Sequence, residues 1–229
     1  MKLNWLWLVA LVLTIGCIPS QSKTSRIAPF EDKQLDSALA ILIDTSGSFS
    51  GYWDSRAYDL FLDLCDQYFS EAIGMRSKLV IGQIGSKDQV VVFEGQPSDL
   101  RQRFPDPASL SEFLKANTNG GSNVYAGTRG IVRYMNNLDG VTQETRLLTV
   151  VLSDMLDTEG DATKRSQVGY AMIAELSSFA SKGGALALYY VADSEMGRWR
   201  DIVDRAGFAD NHYIIENYLS ERPELPMFE

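Results

Sequence analysis

Leu39 to Ile43 is an unbroken apolar run that ends on Asp44, and Thr45-Ser46-Gly47-Ser48 follow at once. An apolar run without polar alternation suits a strand buried on both faces, as in the middle of a parallel sheet. The pattern recurs at Arg146–Ser153, where Leu-Leu-Thr-Val-Val-Leu leads into Asp154. A charge closing such a strand must leave the core, which puts Asp44 and Asp154 at the sheet's carboxyl edge, where ligands bind in open α/β sheets. Asp54–Ile73 has helical periodicity: Phe61, Leu64, Cys65, Tyr68, Phe69 and Ala72 share one face, with Asp59, Asp63, Asp66 and Ser70 opposite. Lys78–Ile84 and Gln89–Phe93 are β-branched runs joined by Gly85-Ser86-Lys87-Asp88, a hairpin signal that makes one of them an antiparallel edge.

The remaining elements alternate. Gly95–Pro107 is polar and proline-broken and reads as a loop with one helical turn, and Ala108–Ala116 as a short helix. Helices are expected over Tyr125–Leu138, Thr163–Ser181 (stopped by Gly183-Gly184) and Gly197–Ala206. Strands are expected over Ala185–Val191 and His212–Ile215. This order predicts a doubly wound α/β fold with a mostly parallel six-stranded sheet, one antiparallel edge strand and helices on both faces.

The first residues follow a different pattern. Lys2 precedes a nearly all-apolar stretch, Leu3–Ile15, too short to span a bilayer comfortably, and Gly16-Cys17 follows. Residues 1–16 read as a signal peptide. A small residue before a cysteine resembles the lipobox of bacterial lipoproteins, which implies lipidation of Cys17, although Thr14 stands where that pattern usually has leucine. Ile18 lacks the aspartate that signals inner-membrane retention in some lipoproteins, which favours the outer membrane where there is one. Residues 17–35 read as a tether: Ile18–Gln34, polar and carrying Pro19 and Pro29, could reach roughly 55–60 Å fully extended. A domain is expected over 36–219 and an irregular tail over 220–229.

Composition narrows the chemistry. A net charge of −9 and a pI near 4.7 disfavour phosphate backbones as partners. The chain has two cysteines, and a lipidated Cys17 would leave Cys65 without a partner, so no disulfide framework is expected; Cys65 itself reads as a core residue. A single histidine, His212, rules out zinc sites built from several histidines.

Asp44-Thr45-Ser46-Gly47-Ser48 has the spacing Asp-x-Ser-x-Ser. It is followed by Gly120-Gly121-Ser122 at the start of a helix and by Asp154 at the end of a strand. Clustered hydroxyls and carboxylates are hard oxygen donors of the kind that suits Mg2+ or Mn2+. These three elements, in this order, resemble the metal-ion-dependent adhesion site of von Willebrand factor A (VWA) domains, whose Rossmann-like fold the predicted elements match. The family usually has Gly-Gly-Thr at the second element and Asp-Gly at the third, where this chain has Ser122 and Met155.

The resemblance implies that Ser46, Ser48 and Ser122 bind the ion directly, that Asp44 and Asp154 act largely through water, and that an acidic side chain of a partner completes the shell. It implies a non-enzymatic protein-binding module, anchored to the cell envelope through Cys17. Phe49, Tyr52 and Trp53 are candidates for an aromatic partner-contacting rim, with packing at the first helix as the alternative. Asp157, Glu159 and Asp161 read mainly as a solvated acidic loop. A Mg2+-dependent hydrolase or phosphotransferase is the competing function, and a structural domain with a vestigial site the third. Haloacid-dehalogenase-type phosphatases have a similar layout but carry a second aspartate where this chain has Ser46, and no Gly-x-x-x-x-Gly-Lys-[Ser/Thr] or Gly-x-Ser-x-Gly motif occurs.

Overall fold

The structure, a computed structural model, describes residues 34–49, 51, 57–71, 76–85, 89–116, 121–217 and 224–226. The expected signal peptide, Cys17 and nearly all of the expected tether lie outside the described residues. The elements fall within one compact unit, Asp32–Glu229. Its strands are β1 (Ser37–Asp44), β2 (Ser77–Ile84), β3 (Val91–Gly95), β4 (Arg146–Leu152), β5 (Ala185–Tyr189) and β6 (Tyr213–Glu216). Its helices are α1 (Tyr58–Glu71), α2 (Pro97–Arg103), α3 (Pro107–Ala116), α4 (Val124–Asn136), α5 (Ala162–Ser181) and α6 (Asp193–Ala206).

The strands form one six-stranded sheet in the order β3-β2-β1-β4-β5-β6. Every described pairing is parallel except β2–β3, which is antiparallel and carries a register shift at Ile81/Gly82. The chain moves outward from β1 through β2 to β3, then crosses back and runs outward from β4 on the other side. The order therefore reverses between β1 and β4, the crevice where doubly wound folds bind ligands. The pairings Asp44↔Ile84 and Ile43↔Leu152 bring the ends of β1, β2 and β4 level.

All eight residues of β1 are buried, as an apolar strand at the centre of a two-sided sheet requires. Ala38, Ala40 and Leu42 face α4, α5 and α6, packing with Ile131, Met172 and Trp199. Leu39, Ile41 and Ile43 face the opposite layer of Phe61, Leu64, Leu110 and Leu114 from α1 and α3. Phe61, Leu64 and Tyr68 on α1 are buried, while Asp59, Asp63, Asp66 and Ser70 are exposed, as the periodicity predicts. On α4, Gly127 allows a close approach to the sheet, since a Cβ there would lie 3.0 Å from Ile84 Cγ1. Among the described residues no helix is long and apolar enough to cross a membrane.

Two elements differ from the sequence reading. The expected loop at 95–107 contains α2, because Pro97 occupies the first helical turn, where its fixed φ is an asset, and Asp99 reaches back to the Gln96 amide at 2.7 Å. Helix α6 begins at Asp193 rather than Gly197: Asp193 and Glu195 supply the acidic first turn that favours a helix start, and Gly197 is accommodated within the helix.

Candidate metal centre

Asp44 closes β1 and is fully buried. Its Oδ1 accepts the Ser46 amide at 2.8 Å, a local turn that an aspartate at a strand end readily makes. Its Oδ2 accepts two hydroxyls from distant segments, Ser122 Oγ at 3.1 Å and Ser153 Oγ at 2.7 Å. One carboxylate thus joins the three loops that follow β1, precede α4 and follow β4. Ser46 Oγ and Ser48 Oγ stand 3.2 Å apart in the first of these loops.

Burial is the main influence on Asp44 and raises its pKa above the ordinary carboxylate value. The Ser153 hydroxyl and the amide and hydroxyl of Ser46 pull it down in part, and the charge of Asp154 adds to the upward push. Asp154 is also buried, and its Oδ1 accepts the Leu156 amide at 3.0 Å.

Ser122 stands at a helix start, as its position in the sequence suggests, but it does not cap the helix. The cap position is Asn123, which makes no side-chain cap bond. The cap comes instead from Asp157 in the third loop, whose Oδ2 accepts the Tyr125 amide at 3.2 Å. A carboxylate there satisfies an unpaired amide and meets the positive end of the helix dipole. Thr158 doubles the connection. Its hydroxyl accepts the Ser122 amide and donates to the Ser122 carbonyl, both at 3.1 Å, and its own amide reaches the same carbonyl at 2.8 Å. The Ser122 hydroxyl is left to reach Asp44.

The acidic loop is more ordered by its own bonds than a solvated loop requires. Asp157 Oδ1 accepts the Glu159 amide at 2.8 Å, and Asp161 caps α5 by accepting the Thr163 and Lys164 amides at 2.8 and 3.1 Å. Met155, in the place where the resembled family has glycine, has φ of 61° and a buried side chain. Glycine suits that position because a left-handed φ costs a side-chain-bearing residue about 1–2 kcal/mol. Here the burial of Met155 in the α4–α6 layer offsets that cost.

The aromatic candidates divide. Phe49 is fully buried in the α1–α3 layer, edge-on to Tyr190 with ring centroids 5.4 Å apart, so it packs the core and does not face a partner. Its apolar ring gains more from that layer than from a wet rim. Tyr52 and Trp53 lie outside the described residues, as does Gly120.

Ser153, Thr158, Asp157 as a cap, and Gln83 were not singled out from the sequence. Gln83 is fully buried at the end of β2, and its amide donates to Thr45 Oγ1 and to the Leu114 carbonyl, each at 2.7 Å. A glutamine inside an otherwise apolar strand was the available signal, since a buried amide needs partners.

Among the described residues no three His, Cys, Asp or Glu side chains come together as a metal-holding group. The side chains gathered at the crevice offer hydroxyl and carboxylate oxygens, a donor set that suits hard cations better than zinc. The donor set suits such an ion. The 3.2 Å between Ser46 and Ser48 lies near the roughly 2.9 Å edge of an octahedron with Mg2+–oxygen bonds of about 2.0–2.1 Å. Ser122 spends its proton on Asp44 and keeps its oxygen lone pairs for another partner.

The molecule is thus an α/β domain with a VWA-like Rossmann arrangement and an oxygen-rich crevice at its topological switch point. No protein-family model matches the chain, and no curated protein matches it by sequence. Solved structures share the fold. The D319A mutant of the PilB minor pilin from Streptococcus sanguinis superposes with a TM-score of 0.52 at 11% identity, over 80% of this chain and 57% of that one. Manganese-loaded TRAP protein from Plasmodium vivax gives 0.51 at 15% identity, over 81% and 70%. The pilus adhesin SpaC from Lactobacillus rhamnosus GG gives 0.51 at 13% identity, over 79% and 28%. At these identities the likeness is one of fold, and the chain matches just over half of the pilin and little more than a quarter of SpaC.

Proposed function

We propose that this domain is a divalent-ion-dependent protein-binding module, held at the bacterial envelope by a lipid on Cys17, with residues 17–35 as tether and 36–219 as the binding domain. The observation that carries the reading is the meeting of hydroxyls from two distant loops, Ser122 and Ser153, on the one buried carboxylate of Asp44. Ser46, Ser48 and Ser122 would hold Mg2+ or Mn2+ through their oxygens, with Asp44 and Asp154 balancing charge from behind. When bound, the ion would supply an electrophilic open position for a carboxylate of the partner. Ser153 and the Ser46 amide keep Asp44 oriented, while Thr158 fixes the Ser122 backbone and Asp157 the start of α4. The manganese in a protein of the same fold, and the pilin and pilus adhesin that share it, support a binding role. Tyr52 and Trp53, next in the chain after the first loop, remain the aromatic candidates for partner contact.

Calorimetric titration of the full chain with MgCl2 and MnCl2 tests the site. Saturable binding by wild type and its loss in Asp44→Ala is the expected outcome. Capture of an envelope protein that is released by EDTA, and absent with the variant, tests the module. Identical behaviour with Mg2+ and with chelator would overturn the reading. Magnesium-dependent turnover of a phosphate ester, lost in the same variant, would replace it with the hydrolase alternative.

A further inference from the structure

A second feature lies on the flank of the candidate centre. A groove of about 260 Å³ runs between α5 and α6 and is lined by Arg165, Arg198 and Arg205 together with Tyr125, Tyr170 and Ile202. Among the described residues, none of its lining side chains is acidic. That composition runs against the chain, whose net charge is −9. Two of the three cations are already held in place. Arg198 donates to both carboxylate oxygens of Glu195, at 3.2 and 2.9 Å, and lies close to the Tyr125 side chain. Arg205 lies over the ring of Tyr170, 5.6 Å from its centroid, and that ring is 66% exposed. Glu195 and Asp157, both close to Tyr125, offset two of the three positive charges, so the groove keeps a smaller net positive field. Arginine and tyrosine, fixed before binding and open to solvent, are the residues that most often anchor protein interfaces.

The groove is linked to the candidate centre through Tyr125. Its amide is bonded to Asp157 of the third loop, three residues beyond Ser122, and its ring forms part of the groove wall. We propose that the groove receives an acidic segment of the same protein partner whose carboxylate is captured at the ion; the identity of that partner as a carboxylate donor rests on the reading above. Arg198 and Arg205 stand two helical turns apart on α6, about 10.5 Å along the axis. A segment in the polyproline-II conformation covers about 9 Å of that distance in three residues and returns to the same face. The groove therefore selects carboxylates spaced three residues apart on a polyproline-II-like stretch of the partner, where positions i and i+3 share a face. The chain's net charge of −9 disfavours unspecific capture of such a segment, which adds specificity to the attraction.

The test uses the full chain in non-ionic detergent and a fluorescein-labelled peptide with three glutamates at three-residue spacing, read by fluorescence anisotropy in EDTA. Saturable binding is expected, weakening as NaCl rises from 50 to 200 mM and absent for the peptide with glutamine in place of glutamate. The double reversal Arg165→Glu/Arg205→Glu should weaken it at least tenfold while its far-UV circular dichroism matches wild type. If the double variant does not fold, the exposed single change Arg205→Gln takes its place, with at least a threefold loss expected. No binding, or equal binding by wild type and variants, overturns the proposal. So does displacement of the peptide by inorganic phosphate at matched ionic strength, which would make the groove a general anion site. Because EDTA removes divalent ions, peptide binding here stands or falls separately from the metal dependence of partner capture.

Discussion

In the proposed site, Asp44 would trade stability for ion binding. A carboxylate whose pKa is raised on folding favours the fold below its unfolded value and loses that favour as pH climbs through the folded value. At neutral pH an ionised Asp44 therefore weighs against the ion-free domain. Asp44→Asn should melt in EDTA at or a few degrees above the wild-type temperature, since about 1 kcal/mol moves the midpoint of a domain this size by about 2–4 °C. MgCl2 is expected to stabilise wild type but not this variant, and differential scanning calorimetry with and without the ion checks both halves. Met155 involves an opposite balance. Replacing it with glycine relieves a left-handed φ worth about 1–2 kcal/mol. It also removes a buried methionine side chain, and truncations of that kind cost about 2–5 kcal/mol. The second effect is larger, so Met155→Gly should lower the urea midpoint despite matching the glycine of the resembled family.

At the scale of elements, the start of α4 is held from outside the helix. Asp157 is its cap, and losing an N-terminal cap typically costs about 0.5–2 kcal/mol. Asp157→Ala should destabilise the domain by that amount and, because the Ser122 loop is tied to the same segment, weaken Mg2+ binding several-fold in the calorimeter. An unchanged ion affinity would show that Thr158 alone holds Ser122. The antiparallel edge has its own clasp, where Glu94 of β3 meets Lys78 of β2 and Tyr134 of α4. Burial pushes Glu94 upward, but the bonds from Lys78 and Tyr134 outweigh it and hold the carboxyl below its ordinary 4.5. A carboxylate with a lowered pKa stabilises the fold above its unfolded value and loses that contribution as pH falls. Stability should therefore decline as pH drops from about 5 towards 3, and Glu94→Gln should flatten that part of the curve in urea titrations at stepped pH.

For the whole molecule, the proposed anchor and the candidate centre make separable demands. Cys17→Ser should shift the protein from the membrane fraction to the soluble fraction and abolish palmitate labelling, while its Mg2+ titration stays the same. Retention of the variant in membranes would favour an uncleaved apolar segment over a lipid. The two-sided core depends on none of this. Alternate residues of β1 serve opposite layers, and the crevice between β1 and β4 follows from the strand order rather than from any one side chain.

The parallel sheet, its antiparallel edge and the carboxylates at the ends of β1 and β4 were legible in the sequence. An apolar run closed by a charge has one economical solution: bury the run and release the charge at its end. In 95–107 the expected single helical turn is the longer helix α2, because Pro97 breaks helices in their interior but begins them at the first turn. Other features required the folded chain. Ser153 and Ser122 reach Asp44 across 109 and 78 residues, and Thr158 reaches Ser122 across 36. A hydroxyl has no pattern of its own along a chain, so its partner is set by which loops the sheet brings together. The same holds for Phe49, which the sequence leaves free to face a partner and which the core takes instead, because the layer beneath β1 has room for its ring.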